Sequence, residues 1–370
     1  MPEQEPAEPT RKTRVALLFG GRSSEHTISC ATAGSVLEHI DRDRYEVVPI
    51  GITRDGRLVL QADDPVPLAL ESVPEVTEGA AVRLPDSASS REITVTDAAG
   101  VVTSLGDVDL MFPILHGRFG EDGTVQGMLD LVDVPYVGNG VLASAVAMDK
   151  HFAKTVIEHS GIRVAPWITV SRRDWADDRD AVRARLGDFP MPVFVKPARA
   201  GSSVGVSRVD SLLAFDRAMD VALAEDTRAL VEAAVHGREI EVGVLGGRDG
   251  MRARASLPGE IVLDEGTFYD FDAKYRGLAT ARTECPADLD DVTIQALQQA
   301  AIHAFEAIDG SGLARVDFFV SPEHGIVLNE VNTMPGFTSI SMFPVVWQAS
   351  GISYGELITE LIELGLQVER

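Results

Sequence analysis

Between Arg315 and Asn332 the chain reads RVDFFVSPEHGIVLNEVN, two apolar runs around Pro322-Glu323-His324-Gly325. Pro and Gly at the ends of that tetrapeptide suit a four-residue turn, so the stretch predicts a β-hairpin. Symmetric closure about the turn sets Asp317 opposite Glu330 and Arg315 opposite Asn332, and period-two alternation puts all four side chains on one face. Like charges directly opposed destabilise a sheet, so either one carboxyl keeps its proton or a cation lies between them. A donor set made only of oxygens favours a hard ion such as magnesium. Taken alone, an acidic pair reads more readily as a solvated face. Other motifs along the chain bear on the choice.

With 370 residues and ordinary apolar content, the chain exceeds what one core holds, and two or three domains are expected. Residues 1–12, acidic and Pro-rich, read as a disordered tail. TRVALLFGGRSSEHTISCATAGSVLEHI predicts a buried strand, a Gly-Gly turn and a helix starting near Ser23 or Ser24, without the GxGxxG spacing of a dinucleotide fold. YEVVPIGI is a second strand. The stretch from about Gln61 to Asp107 reads as an inserted surface excursion with short strands such as EITVTD. VDLMFPILHGRFGEDGTVQGMLDLVDVPYVGNG then resumes strand, Gly-rich loop, helix over Thr124 to Leu131, and a short strand at Tyr136-Val137. Strands alternating with helices imply a parallel sheet.

A helix from Met148 to the stop at Gly161 opens a second domain. MPVFVKPARAGSSVGVSRV supplies two strands joined by a Gly- and Ser-rich loop, ALVEAAV and REIEVGVLGG two more, and SLLAFDRAMDVALA a helix between the pairs, an α+β pattern. The last segment holds the polar loop GTFYDFDAKYRGLATARTECP, a helix around Thr293 to Ile308, the hairpin, and terminal helices including ELITELIELGL.

The formal charge of -24 argues against general binding to nucleic acid or an anionic membrane. Two cysteines, Cys30 and Cys285, make neither a disulfide framework nor a thiolate zinc site, and with no signal-like or membrane-length apolar run they suit a cytoplasmic enzyme. Only five lysines occur, and Lys150, Lys196 and Lys274 fall in motif stretches, where a compact ammonium suits phosphate.

Several residues have two readings at this level. The loop ARAGSSVG, residues 198–205, lets backbone amides approach a phosphate, or is a flexible hairpin tip without a Walker motif. Lys196 within apolar VFVKP leans toward a ligand. Glu25 in a helix first turn is explained by capping. His116 and Glu121 in LHGRFGEDG sit on a loop after a parallel strand, where open α/β sheets bind ligands, and a satisfied loop histidine is as good a reading.

Together GGRSSEHTIS, HGRFGEDGTVQGMLDLVDVPYVGNG, SAVAMDK, VKPARAGSSVGVSRV, FYDFDAKY, ARVDFF and NEVNTMPGFTSISMFP, in this order, resemble the D-alanine:D-alanine ligases of the ATP-grasp superfamily. The resemblance spans nearly the whole chain, omits the tail and is weak over Gln61–Asp107. It implies an α/β and α+β multidomain fold: an N-terminal parallel α/β substrate domain at 13–145, then a two-domain ATP-grasp fold, with a central subdomain at 146–235 and a C-terminal metal-binding domain at 236–370. It further implies ATP between the last two domains, two D-alanines beneath it, two magnesium ions for which manganese can substitute, potassium as a further candidate, and a homodimer.

Position by position, the resemblance implies that Asp317, Glu330 and Asn332 hold metal, and that Lys150, Lys196 and Ser203 contact the nucleotide. Glu232 would lie at the adenine and Glu239 at the ribose, with Ala233 departing from the lysine of some relatives. Ser202, Tyr275 and Glu25 would tie the lid loops to the first substrate, Lys274 would reach a phosphate, and His116 would lie near the first substrate. Arg315 and the Gly336 amide would stabilise the oxyanion, while Ser341 and the Met342 amide would receive the second substrate's carboxylate. Rival readings are a ligase using D-lactate or D-serine as second substrate, which Tyr275 disfavours, and a non-catalytic nucleotide-binding regulator. On charge alone, Asp317→Asn should leave folding intact or slightly improved.

Overall fold

The run Val15–Phe19 is fully buried in the middle of β1 (Thr13–Gly20). A strand covered on both faces suits the centre of a parallel sheet, and β1 pairs in parallel with β2 (Tyr45–Ile52) on one side and β7 (Leu110–Ile114) on the other. The computed structural model describes residues 11–69, 72–187, 189–201, 204–263 and 281–367. Helix α1 (His26–His39) packs on β1, but it starts later than the serines suggest: Ser23, in the turn ahead of it, donates its Oγ–H to His116 O at 2.7 Å and accepts from Glu25 N at 3.2 Å.

The excursion expected over Gln61–Asp107 is part of the sheet. After β3 (Leu58–Leu60) come β4 (Ala81–Arg83), β5 (Glu92–Thr96) and β6 (Val102–Asp107), an antiparallel meander that gives seven strands in the order β6-β5-β4-β3-β2-β1-β7. Val82, Leu84 and Ile93 share a buried cluster with Ala16 and Leu18. The sheet is therefore mixed, not purely parallel. β5 falls on the predicted EITVTD, whereas Tyr136 makes only a single parallel bridge to Met111.

Helix α2 occupies Thr124–Leu131 as the periodicity predicts. The helix expected from Met148 to Gly161 is α4 (Lys150–His159), and a separate helix that was not expected, α3 (Val141–Met148), precedes it. The break is a cap: Asp149 accepts from His151 N at 3.1 Å and starts α4 afresh.

A four-stranded antiparallel sheet follows, in the order β10-β9-β11-β8, from β8 (Trp167–Ser171), β9 (Val193–Pro197), β10 (Ser207–Val209) and β11 (Arg228–Ala233). Short helices α5 (Arg172–Asp177) and α6 (Arg179–Ala184) precede β9, and α7 (Leu212–Glu225) buries Phe215, Met219 and Leu223 against Val193, Val195 and Val231.

The third sheet is built on β12 (Arg238–Leu245), flanked by β13 (Arg254–Ala255), β14 (Gly259–Leu263), β15 (Ala281–Glu284), β16 (Leu313–Ser321) and β17 (Gly325–Asn332). Part of the presumed polar loop, Ala281–Glu284, is thus strand. Helix α8 (Asp291–Ala307) covers one face with Leu297, Ala301 and Phe305. β16 and β17 form the predicted hairpin, with Asp317 paired to Glu330 and Arg315 to Asn332. The turn differs: Ser321 pairs with Gly325, so three residues lie between them, and a bulge that leaves Asn329 unpaired restores the expected partners further out.

The last helices, α9 (Met342–Ala349) and α10 (Tyr354–Gln367), return to the first sheet. Leu357, Ile358, Leu361 and Ile362 share one core with Leu17, Phe19, Leu110 and Phe112. First and third sheets also meet directly. A Cβ on Gly312, at φ +68°, would lie 2.8 Å from Gly138 Cα, and buried Asn139 donates to Leu313 O (2.6 Å) and Thr333 O (3.0 Å) while accepting from Ser311 N (2.9 Å). Among the described residues, no helix is long and apolar enough to cross a membrane.

Candidate active site

A cleft of about 730 Å³ opens where the three sheets converge. Glu25, His116, Lys150, Lys196, Glu232, Glu239, Arg315, Glu330, Asn332, Gly336, Ser341 and Met342, all singled out in the sequence, line it. Asp317 lies just behind, lining a small adjoining void with Glu239, Glu241 and Glu330. Ser202, Ser203, Lys274 and Tyr275 lie outside the described residues.

The inner wall is a row of charges. Glu241 on β12 pairs with Asp317 on β16, which pairs with Glu330 on β17, so three carboxylates run across three strands. Arg315 answers them: its Nε and Nη2 donate to Asp317 Oδ1 (2.8 Å) and Oδ2 (2.7 Å), and its Nε lies 2.9 Å from Glu241 Oε2. Burial would lower the basicity of this guanidinium, but Asp317 and Glu241 outweigh it and raise its pKa, so it stays charged. Among the described residues Arg315 is the cation bonded to this row, and closely set carboxylate oxygens suit a hard divalent ion. Asn332 Nδ2 donates to Asp317 Oδ2 at 2.9 Å, so its amide would have to turn to offer oxygen. Among the described residues, no group of three or more His, Cys, Asp or Glu is set as a ready metal cage. The donor chemistry fits a metal, and metal entry entails loosening the fork of Arg315.

The upper wall carries lysines. Lys150, at the start of α4, donates to Ala200 O at 2.7 Å in the Gly- and Ser-rich loop. Lys154, one turn on, and Lys196, on β9, both contact the Glu232 carboxylate, the latter at 2.6 Å. Burial alone would raise the Glu232 pKa, but the two ammoniums overcome it and hold the carboxyl down at about 2.

The lower wall comes from the first sheet's loops. Glu25, just before α1, makes no capping bond. Its carboxylate sits where a Cβ on Gly117 would come within 2.6 Å and one on Gly201 within 3.0 Å, so it faces the cleft and the central loop, and capping does not explain it. His116 Nδ1 lies 3.1 Å from Met334 O and its Nε2 3.5 Å from Thr32 Oγ1. Burial lowers its pKa, leaving the ring neutral. Glu121 accepts from Gly117 N and, at 3.3 Å, from Met334 N; burial and the Glu25 charge push its carboxyl up to about 8. At the far end Ser341 precedes α9, with its Oγ 2.7 Å from Thr338 Oγ1, and the first N–H groups of α9 have no intrahelical acceptor.

Lys154 and Glu241 escaped the sequence reading. Each carried a signal: Lys154 follows Lys150 by one helical turn, and Glu241 shares a strand face with Glu239.

Residues 14–139 match the family model described as D-ala D-ala ligase N-terminus, and residues 156–363 the one described as D-ala D-ala ligase C-terminus. A D-alanine--D-alanine ligase of Paenarthrobacter aurescens (strain TC1) is 50% identical over 362 residues, covering 96% of each chain. One of Streptomyces avermitilis is 48% identical over 98% of this chain and 97% of the relative. Among solved structures, the VanG D-Ala:D-Ser ligase from Enterococcus faecalis superposes with a TM-score of 0.82 at 32% identity, covering 96% of this chain and all of that one. The D-alanine-D-alanine ligase from Coxiella burnetii gives 0.79 at 36% identity, over 96% and 94%.

Proposed function

The chain belongs to the D-alanine–D-alanine ligase family, and from that premise we propose a division of labour among its cleft residues. The enzyme is an ADP-forming ligase that uses ATP and a divalent metal to join two D-alanines for peptidoglycan synthesis. A carboxylate is a poor acyl donor. The γ-phosphoryl group of ATP therefore passes to the carboxylate of the first D-alanine, releasing ADP, and the amine of the second attacks the resulting acyl phosphate, expelling phosphate.

Lys150 and Lys196 bind the phosphates, Glu232 lies at the adenine and Glu239 at the ribose. Magnesium held by Asp317, Glu330 and Asn332, or manganese in its place, would neutralise charge on the phosphates; potassium is a further cation to test. Glu25 receives the ammonium of the first D-alanine, and His116 flanks it. Arg315 donates to the tetrahedral oxyanion together with the Gly336 amide, a contribution of about 3 kcal/mol per well-aimed donor. In support, Arg315 Nη1 has no hydrogen-bond partner among the described residues. Ser341 and the Met342 amide take the second D-alanine's carboxylate, as the start of a helix favours. Ser202, Ser203, Lys274 and Tyr275 complete the set as lid, phosphate and substrate contacts that exclude water from the acyl phosphate.

The domains divide at 145/146 and 235/236, the enzyme works in the cytoplasm, and it is a homodimer; exposed Leu131 and Leu142 on α2 and α3 support an apolar contact between copies. The observation that carries the site assignment is the paired register of Arg315, Asp317, Glu330 and Asn332 on one cleft wall. The test is phosphate release with ATP, magnesium and D-alanine, with products identified in competition with D-lactate and D-serine. D-alanyl-D-alanine as the dominant product is expected, and Arg315→Met should abolish its formation. Full turnover by Arg315→Met would refute the assignment.

A further inference from the structure

Lys154 is the cleft residue whose chemistry is unexplained. It is 3% exposed, lies on α4 one turn beyond Lys150, and its ammonium touches the Glu232 carboxylate. Beyond that ion contact its Nζ makes no hydrogen bond among the described residues. Glu232, 4% exposed, holds Lys196 on its other oxygen at 2.6 Å. A single buried carboxylate therefore has two lysines, one more than neutrality needs. Lys196 is the more open of the two, with its side chain 17% exposed against 4% for Lys154.

We propose that Lys154 is the permanent counter-ion of Glu232 and thereby releases Lys196 to turn from that carboxylate to the phosphates of the nucleotide. A buried carboxylate that loses its only cation is strongly disfavoured. With Glu232 and Lys196 alone, nucleotide binding would have to break a buried pair. With Lys154 in place, the departure of Lys196 leaves a neutral Glu232–Lys154 pair behind. Lys154 is thus a positioning residue that acts through Glu232. The inference rests on the proposed assignment of Lys196 to the phosphates.

Calorimetric titration of the full-length enzyme with ADP and with adenosine tests it. In Lys154→Met, Glu232 keeps Lys196, so ADP affinity should fall about tenfold, the order of one partly buried charge contact. Adenosine affinity should change less than about twofold, since no phosphate calls on Lys196. Adding Glu232→Gln to Lys154→Met should bring the ratio of ADP to adenosine affinity back to within about threefold of the wild type, because Gln does not hold the ammonium and the adenosine titration absorbs any lost adenine contact. Equal loss for both ligands, unchanged ADP binding, or no recovery in the double variant would each overturn the proposal. Lys196→Met judges the underlying assignment separately: if ADP affinity survives that change, Lys196 does not serve the phosphates. A crystal structure of the wild type with ADP needs no substitution. Lys154 on Glu232 with Lys196 Nζ at a phosphate oxygen is expected, and Lys196 still on Glu232 would overturn the proposal.

Discussion

Glu121 is a carboxyl whose proton is held by its surroundings, pushed up to about 8 by burial and Glu25 despite two amide donors. In the unfolded chain it would titrate near the ordinary glutamate value of 4.5. Between those values the folded state keeps a proton that the unfolded state has released. Stability is then lost as pH rises from about 4.5 to about 8, by at most about 1.4 kcal/mol per pH unit, and is flat above. Glu121→Gln is neutral at every pH and keeps one acceptor oxygen. Its stability relative to the wild type should climb between pH 6 and pH 8.5 in urea melts, and parallel pH profiles would refute the shift. Asp317 brings a correction at the same scale. Charge alone predicts a neutral or favourable Asp317→Asn, but the carboxylate is bonded by Nε and Nη2 of Arg315 and by Asn332. Its loss leaves a buried guanidinium partly unanswered. The expected outcome is destabilisation of about 1.5–3 kcal/mol, the worth of charged hydrogen bonds, with turnover at limiting magnesium also reduced; a melt equal to the wild type would restore the charge-only view.

Helix α4 carries both Lys150 and Lys154, the lysines of the proposed nucleotide site, and is capped by Asp149. That buried carboxylate caps the helix through His151 N (3.1 Å), pairs with Arg228, and lies 3.8 Å from Arg199. Asp149→Asn keeps a capping oxygen and drops the charge, whereas Asp149→Ala loses both. The alanine variant should therefore be less stable by about 1 kcal/mol more than the asparagine one, and equal melting would show that the cap contributes nothing. The sequence put the helix start at Met148 and left α3 unseen, because VLASAVAM is apolar apart from Ser144 and shows no polar face. The hairpin was legible for the opposite reason, its alternation and turn residues being strong local signals. Even there the partners come out as expected only because the bulge at Asn329 offsets a turn one residue shorter. α2 was legible over its full length from periodicity. The meander β3–β6 was not, since its strands are short and find their burial in clusters shared with β1, β2 and β7, outside the segment. Lys154 and Glu241 were missed because their partners, Glu232 and Arg315, are remote in sequence.

At the scale of the molecule, the N-terminal sheet does not close its own core: α10, at the other end of the chain, covers it with Leu357, Ile358, Leu361 and Ile362. Such a long-range closure has no local sequence signal, nor do the bonds of His116 and Glu121 to the backbone of Met334, just beyond β17. What remains uncovered is also informative. Leu131 at the end of α2 is 83% exposed and Leu142 on α3 is 58% exposed, with Met128 and Val141 partly exposed beside them. On a chain of net charge -24, two copies repel at long range, so association has to come from apolar contact at short range. If the proposed homodimer uses this surface, Leu131→Glu with Leu142→Glu should split it. The substitutions touch exposed positions, where changes usually cost under about 0.5 kcal/mol of folding stability, so the monomer should stay folded. Light scattering should give twice the chain mass for the wild type and the chain mass for the double variant, with the difference persisting at 0.5 M salt because screening weakens only the repulsion. A wild-type monomer would remove the dimer, and a dimeric double variant would move its interface elsewhere.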